Sequence, residues 1–468
     1  MNDLKQCFKY LFLVAIIFIG LSSCHKENLP RVIRTDEENC WDIHSWQGLE
    51  HDSVLYINEI PEIPAVDQHY TNWLNNKENH IQIRSLMSTN FEDLKCLDDY
   101  IEGKKIVQLG ESGHGPKEYN LMKVRLIKYL HEVHGFNVIA FESGFFETYH
   151  VNAHFMELSS YDALKKGIIH SVWHTEEVLD LLHYMKYFTG HKLQLAGFDC
   201  QGGMINTKMA YERALFLNNL VHKMDASYAA HVFTTEMVIC RDYLNCDSLL
   251  TNIDEWKAEY TNLIAFIESN MDTLNAIFSD VPLYPQIALQ FAKSNLANLD
   301  NHYGYCLGNY KYNPRDSAMA ANIRFLKEVM FPDEKIIVWA HNAHIAYNLD
   351  NYSTAEWNGE RMMGNWLLDY FDRKDLYTIG LYALRGWLYA DDSLRIPESS
   401  NSLEAICYST HKKNLFFDIE NHLPETGNEW MDQKIRASHW SEYDKINLRK
   451  EYDAIIFLES LTKPFYID

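Results

Sequence analysis

Basic runs are missing from this chain of 468 residues: nowhere do four Lys or Arg stand together, and 42 basic residues face 65 acidic ones, for a formal net charge of −23. Binding DNA or RNA by counterion release needs cations gathered on one face, so a nucleic-acid partner is excluded. Proline is scarce, at 11, and 47% of residues are hydrophobic, which excludes a disordered or collagen-like chain and leaves a globular one long enough for two or more domains. No segment reaches the roughly 18 consecutive apolar residues of a permanent membrane span. Compact zinc patterns such as CxxC are absent, and so is HExxH, which His131-Glu132-Val133-His134 resembles only at a glance. A complete GxSxG elbow is missing too, because Gly110-Glu111-Ser112-Gly113-His114 ends in histidine. Small-molecule chemistry is the class that remains.

The amino terminus carries an export pattern over 1–24. Lys5 and Lys9 precede an apolar stretch from Leu11 to Leu21, and the small residues Ser22 and Ser23 precede Cys24. Leu21-Ser22-Ser23-Cys24 resembles the bacterial lipobox, in which the signal is cut before the cysteine and that cysteine takes the lipid. The expectation is an exported bacterial lipoprotein on the periplasmic or cell-surface side, anchored to a membrane through Cys24 without crossing it. Once Cys7 leaves with the signal and Cys24 is lipidated, Cys40, Cys96, Cys200, Cys240, Cys246, Cys306 and Cys407 remain. Their number is odd, so at least one is free, and spacing assigns no pairing.

Residues 25–85 carry Pro30, Pro61 and Pro64, mixed charge and scattered aromatics, and read as a tether and lead-in with irregular stretches. From 86 onward short apolar runs alternate with helical patterns. The runs are Lys105 to Gly110, Asn137 to Glu142, Leu193 to Asp199, Lys335 to His341, Leu376 to Ala383 and Tyr452 to Glu459. Unbroken apolar character suits strands buried on both faces. Between the first two, Pro116 to Glu132 reads as a helix: Leu121, Val124, Ile127 and Leu130 recur every three residues, with proline at the start and Gly135 behind. Over 204–300 glycine vanishes and long helical patterns such as Glu255 to Leu274 take over. The predicted fold class is α/β, a mostly parallel sheet flanked by helices, with an inserted helical subdomain at 204–300 dividing the sheet domain into 86–203 and 301–468.

Polar residues stand where the apolar runs stop. Glu111 and His114 follow the first run, Glu142 ends the second, Asp199 ends the third, and His341 and His344 end the fourth. Open α/β sheets bind ligands at the carboxyl edge of their strands, so these groups are predicted to share one rim, against the plainer reading that loops collect polar residues anyway. Histidine is a base at neutral pH when a carboxylate fixes its tautomer, which makes His114 the candidate base and Glu111 or Glu142 its orienting partner. General-base action supplies about 3 to 5.5 kcal/mol, below the roughly 8 kcal/mol or more that enzymes provide. A second group must therefore stabilise developing charge, a part that suits His341 or His344. Ser112 is a weaker candidate as nucleophile, since the elbow motif is incomplete. Metal ligation is the rival chemistry: His341 and His344 with Glu111 make a possible set, whereas His150 with His154 and His170 with His174, expected on helix faces, favour packing. Arg315, near the start of a helix signalled by Asn313-Pro314-Arg315-Asp316, can bind an anionic substrate group or anchor the helix by an ion pair.

The same residues resemble the erythromycin esterase family. The matching pieces are Leu109 to Gly115, Phe141-Glu142, Gly197-Phe198-Asp199, Arg315-Asp316 with Met319, Ala320 and Asn322, and Trp339 to His344, in order over about residues 86–460. The resemblance implies an α/β fold with a helical insertion and hydrolysis of a macrolactone ester by water, with His114 as general base and Glu111, Glu142, His341 and His344 lining the cleft. Where some members carry an arginine nine residues after the base histidine, this chain has Lys123, which lacks the planar fork. Arg125 is near in sequence but on another helix face. With Asp199 and Arg315, these two complete the candidate substrate-binding set. The family is functionally mixed, so membership does not make a macrolide the substrate.

The expected function is therefore hydrolysis of a carboxylic ester or macrolide lactone by His114-activated water, with a small-molecule substrate, no cofactor and no nucleic-acid partner. Two alternatives stand beside it. One is a metal-dependent hydrolase using the same rim. The other is a noncatalytic haem- or ligand-binding lipoprotein, because a haem-binding lipoprotein family is similar in fold and the rim is rich in imidazole.

Overall fold

Each central strand feeds two cores. Ile106, Val138, Ala140, Ile336 and Val338 face one apolar cluster, while the residues beside them, Val107, Leu109, Ile139, Phe141, Ile337 and Trp339, face the other. Helices therefore cover both faces of the sheet, and its strands read as continuous apolar runs. The computed structural model describes residues 65–76, 80–202, 207–348, 360–387, 401–439 and 442–467. The export pattern, Cys24 and most of the lead-in lie outside the described residues.

In chain order, α1 (Gln68–Asn75) is capped by the Asp67 side chain, which accepts from His69 N, and buries Trp73 and Leu74. It lies within the stretch expected to be irregular, and the packing of those two residues is what fixes it. β1 (Ile81–Gln82) and β2 (Ile106–Leu109) follow. Next come α2 (Lys117–His134), ended by Gly135 in the left-handed region at φ 68°, and β3 (Phe136–Gly144), so the predicted βαβ start is present. After α3 (Phe145–Ala153) and β4 (Gln194–Asp199), five helices run without a strand: α4 (Thr207–His222), α5 (Ala226–Asp242), α6 (Cys246–Ser269), α7 (Met271–Ile277) and α8 (Tyr284–Cys306). The helix expected over Glu255 to Leu274 is two, divided at Asn270. Cys246 and Cys306 form a disulfide across this helical stretch; Cys96, Cys200, Cys240 and Cys407 are free.

The chain returns through α9 (Asn313–Phe325), β5 (Lys335–Trp339), α10 (Asn342–Ile345), β6 (Leu376–Gly386), β7 (Asn414–Asp418), the β8–β9 hairpin (Ile435–His439 and Glu442–Ile446) and β10 (Ala454–Leu461). Eight strands make one sheet in the order β1-β7-β10-β6-β2-β5-β3-β4. Pairing is parallel from β10 to β4, while β7 runs antiparallel to β10 and β1 antiparallel to β7. All six predicted runs are strands of this sheet, and β2, β5, β3 and β4 are adjacent in that order. Their carboxyl ends consequently lie side by side, which is what the site requires.

Candidate active site

β2 ends at Leu109 and is followed by Gly110, where a side chain has no room: a Cβ there would stand 2.0 Å from Asn342 Oδ1. The turn that follows buries Glu111 completely among three partners. Its Oε1 accepts from His114 Nδ1 at 2.6 Å and from Trp173 Nε1 at 3.1 Å, and its Oε2 is 3.0 Å from the Lys123 ammonium. Burial would raise the Glu111 pKa, but Lys123 and His114 together hold it below the usual carboxylate range. A carboxylate only accepts, so the His114 proton sits on Nδ1 and Nε2 is left as the basic nitrogen. Of the two, Glu111 orients His114 and Glu142 does not. The His114 side chain is 13% exposed against 0% for Glu111, which puts the base at the accessible end of the pair.

Glu142, from the end of β3, belongs to a second ionic cluster. Its Oε1 is 2.9 Å from Arg315 Nη2 and 3.3 Å from His344 Nε2, and its Oε2 accepts from the backbone N–H of His341 at 3.0 Å. Burial opposes its ionisation, yet His344, His114 and Arg315 bring its pKa down to about 2. Arg315 reaches from α9 and grips Asp199 with both Nε, at 3.1 Å, and Nη2, at 2.5 Å. Asp199 is pushed up by burial and pulled well below its ordinary value by Arg315 and His170, the latter 3.7 Å away. His344 Nδ1 meets Asp316 Oδ1 at 2.7 Å, and burial, which lowers its pKa, is outweighed by Asp316 and Glu142, which raise it. His344 Nδ1 donates to Asp316, while its Nε2, 3.3 Å from Glu142 Oε1, accepts from Arg315 Nη1 at 3.2 Å in the neutral ring.

His341 is different. It caps α10, its Nδ1 accepting from Ala343 N at 3.2 Å, so its proton is on Nε2. Burial lowers its pKa well below the ordinary value, reinforced by His439, His114 and His344. A neutral imidazole in that place can offer a hydrogen bond without carrying charge. Its ring lies 5.2 Å from that of His114, edge to face, and Trp173 presses on His114 from 4.9 Å.

Glu111, His114, Glu142, His341 and His344 thus converge as the strand-end reading expected. The substrate-binding set needs correction. Lys123 is fully buried, its ammonium bound to Glu111, to Ala340 O at 3.1 Å and over the Trp339 ring, so it acts on Glu111 and not on a ligand. Arg125, two residues on, points away and holds the backbone of Ser85, Ser88 and Asn90 together with Asp93. Two residues turn a helix by about 200°, which is the reason. Arg315 and Asp199 are spent on each other, and the anchoring ion pair is the reading the geometry supports. Ser112 Oγ is bonded to Tyr119 OH at 2.8 Å and to Ser438 at 3.3 Å. His170 and His174 flank a short turn at Ser171–Trp173 and do not share a helix face; His174 Nε2 binds Ile168 O. His154 closes α3 and bonds Glu157. Among the described residues, the cluster with metal-ligand proximity is Cys246, His302 and Cys306, whose sulfurs are joined to each other.

Trp173, Asp316 and His439 escaped the sequence reading of the site. Asp316 had a signal, its place beside Arg315, and Trp173 stands between two histidines in a polar stretch. His439 ends a short alternating strand and no apolar run marks it.

The sequence model described as Erythromycin esterase matches residues 131–461. Among curated proteins, the putative hydrolase YbfO of Bacillus subtilis (strain 168) is 29% identical over 424 residues, covering 85% of this chain and 92% of that protein. Erythromycin esterase type II of Escherichia coli is 24% identical over 289 residues, 58% of this chain and 67% of that protein. Among solved structures, a mutant of the erythromycin esterase EreC in its open conformation has a TM-score of 0.65 at 20% identity, covering 83% of this chain and 99% of that one. A Bacillus cereus protein gives a TM-score of 0.68 at 18% identity, covering 86% and 99%. At these identities the structures speak for the fold.

Proposed function

The chain belongs to the erythromycin esterase family, a membership that supports a hydrolase, and from that premise we propose that it cleaves a carboxylic ester, a macrolide lactone among the candidates, by water activated at His114. The observation that carries this reading is the 2.6 Å contact between His114 Nδ1 and the buried Glu111 carboxylate, which puts the ring proton on Nδ1 and makes Nε2 the basic nitrogen of the more exposed member of the pair. Nε2 takes a proton as water oxygen attacks the carbonyl carbon, and the imidazolium that forms is stabilised by Glu111, itself kept ionised by Lys123. Neutral His341, with its proton on Nε2, suits a hydrogen bond to the developing oxyanion. Collapse breaks the C–O bond and yields acid and alcohol. Glu142, Asp199, Arg315, Asp316 and His344 hold the frame, since Glu142 fixes the backbone at His341. No resident metal or cofactor enters the scheme. We propose as well that a lipid on Cys24 anchors the chain to a membrane; the Cys246–Cys306 disulfide fits an oxidising compartment, and no helix among the described residues is long and apolar enough to cross a membrane.

The test is a panel of esters and lactones, erythromycin included, read by mass spectrometry for addition of one water. His114→Ala is expected to lower turnover by at least about 10²-fold with an unchanged circular dichroism spectrum. Turnover that survives in that variant removes His114 from the reaction, and turnover abolished by a chelator and restored by zinc transfers it to a metal.

A further inference from the structure

The β8–β9 hairpin delivers a fourth imidazole to the rim, beside those of His114, His341 and His344. His439, the last residue of β8, is 9% exposed, and its ring centroid is 5.1 Å from that of His341, edge to face, as His341 is from His114 at 5.2 Å. His341 therefore stands between two rings. One bond ties the hairpin to the turn that carries the base, Ser438 Oγ to Ser112 Oγ at 3.3 Å, one residue from Glu111, and a second ties it to the helix Leu403–Tyr408, where Ser438 N donates to the buried Glu404 carboxylate at 2.6 Å. Ile435, Ala437 and Ile446 anchor the hairpin in the core.

Hydrolysis of an alkyl ester needs two proton movements, one away from water and one onto the departing alkoxide. His114 serves the first through Nε2, because its Nδ1 is committed to Glu111. His341 cannot serve the second by releasing a proton: its Nδ1 is occupied by Ala343 N–H, and burial keeps the ring neutral. Resting on the His114 reading, we propose that His439 is a further catalytic residue, the general acid that protonates the leaving alkoxide across His341 from the base. The step requires His439 to hold a proton on both ring nitrogens when the ester arrives: one N–H bond of His439 breaks, the alcohol O–H bond forms and the ester C–O bond breaks. His114 returns the proton it took from water to solvent, and His439 regains one from solvent, so the sum is ester plus water giving acid plus alcohol.

Two esters with the same acyl group separate this role from a structural one. p-Nitrophenolate departs without a proton, whereas ethoxide requires one. On ethyl butyrate His439→Gln is expected to lose at least about 10²-fold in kcat, and on p-nitrophenyl butyrate less than about 3-fold. His114→Gln is expected to lose activity on both, so failure of the base and failure of the acid give different patterns. Because His439 is nearly buried, its melting temperature is followed in parallel, and added imidazole is expected to restore ethyl-ester turnover to His439→Ala. Equal losses on the two esters, or no loss on the ethyl ester, would overturn the assignment. Absence of turnover of both esters by the native chain would count against the ester reading itself and take this proposal with it.

Discussion

Glu142 is a buried carboxylate surrounded by cations, and its titration is therefore tied to folding. Burial favours its neutral form, but His344, His114 and Arg315 reverse this and bring the pKa from 4.5 to about 2. Between those values the unfolded chain binds the proton and the folded one does not, so the stability Glu142 contributes is complete above 4.5 and is lost as pH falls toward about 2. The shift corresponds to roughly 3 kcal/mol. Glu142→Gln is expected to be less stable than the native chain near neutrality, with the gap shrinking through the acid window; urea unfolding from neutrality down to about pH 3 measures it, and a gap that stays constant would contradict the account. At this scale the sequence was informative about identity more than partnership. Acid and imidazole groups after apolar runs pointed to Glu111, His114, Glu142, His341 and His344, because strand ends share an edge whatever lies between them. That Lys123 neutralises Glu111, or that Arg315 clamps Asp199, depends on side-chain direction, which residue type does not encode.

Elements differ in how plainly a sequence marks them, for a physical reason. The six runs read as strands are covered on both faces and carry apolar residues at nearly every position. β1 has two residues, and β8, Ile435 to His439, alternates Arg436 and Ser438 with Ile435 and Ala437, so no run announces it. His439 was missed for that reason. The helical run from α4 to α8 was visible from its glycine-free patterns, but its attachment was not: Arg213 in α4, 1% exposed, pairs with Glu147 in α3 and Glu236 in α5, each at 3.1 Å, joining these helices to the segment just after β3. The disulfide was equally hidden, since Cys246 is bonded to Cys306, 60 residues on, and not to its near neighbour Cys240. Closing a loop of that length restricts the unfolded chain, and removing the bond by Cys246→Ser with Cys306→Ser is expected to cost about 2 to 4 kcal/mol in urea unfolding. An unchanged midpoint and slope would show that the helices are held by packing alone.

The whole molecule carries its own electrostatic consequence. A net charge of −23 spread over the chain repels anions at long range. The site adds to this and does not reverse it: the carboxylates of Glu111, Glu142, Asp199 and Asp316 face the cations of Lys123, Arg315 and His344, so the cluster retains an excess of negative charge. None of those cations is available to a ligand, because each is closed off by a carboxylate. A substrate that approaches as a cation is therefore drawn in, and one that carries a carboxylate is held off, before any contact with His114. Salt screens such an interaction beyond about 10 Å at 0.1 M ionic strength. For an ester bearing an amine, kcat/KM is expected to fall as ionic strength rises, for an anionic ester to rise, and for a neutral ester of the same acyl group to stay level. Three salt titrations at one pH decide the matter: parallel responses would mean that the field of the chain does not act on the approaching ester, and that selection among esters rests on shape and hydrogen bonding at His114 alone.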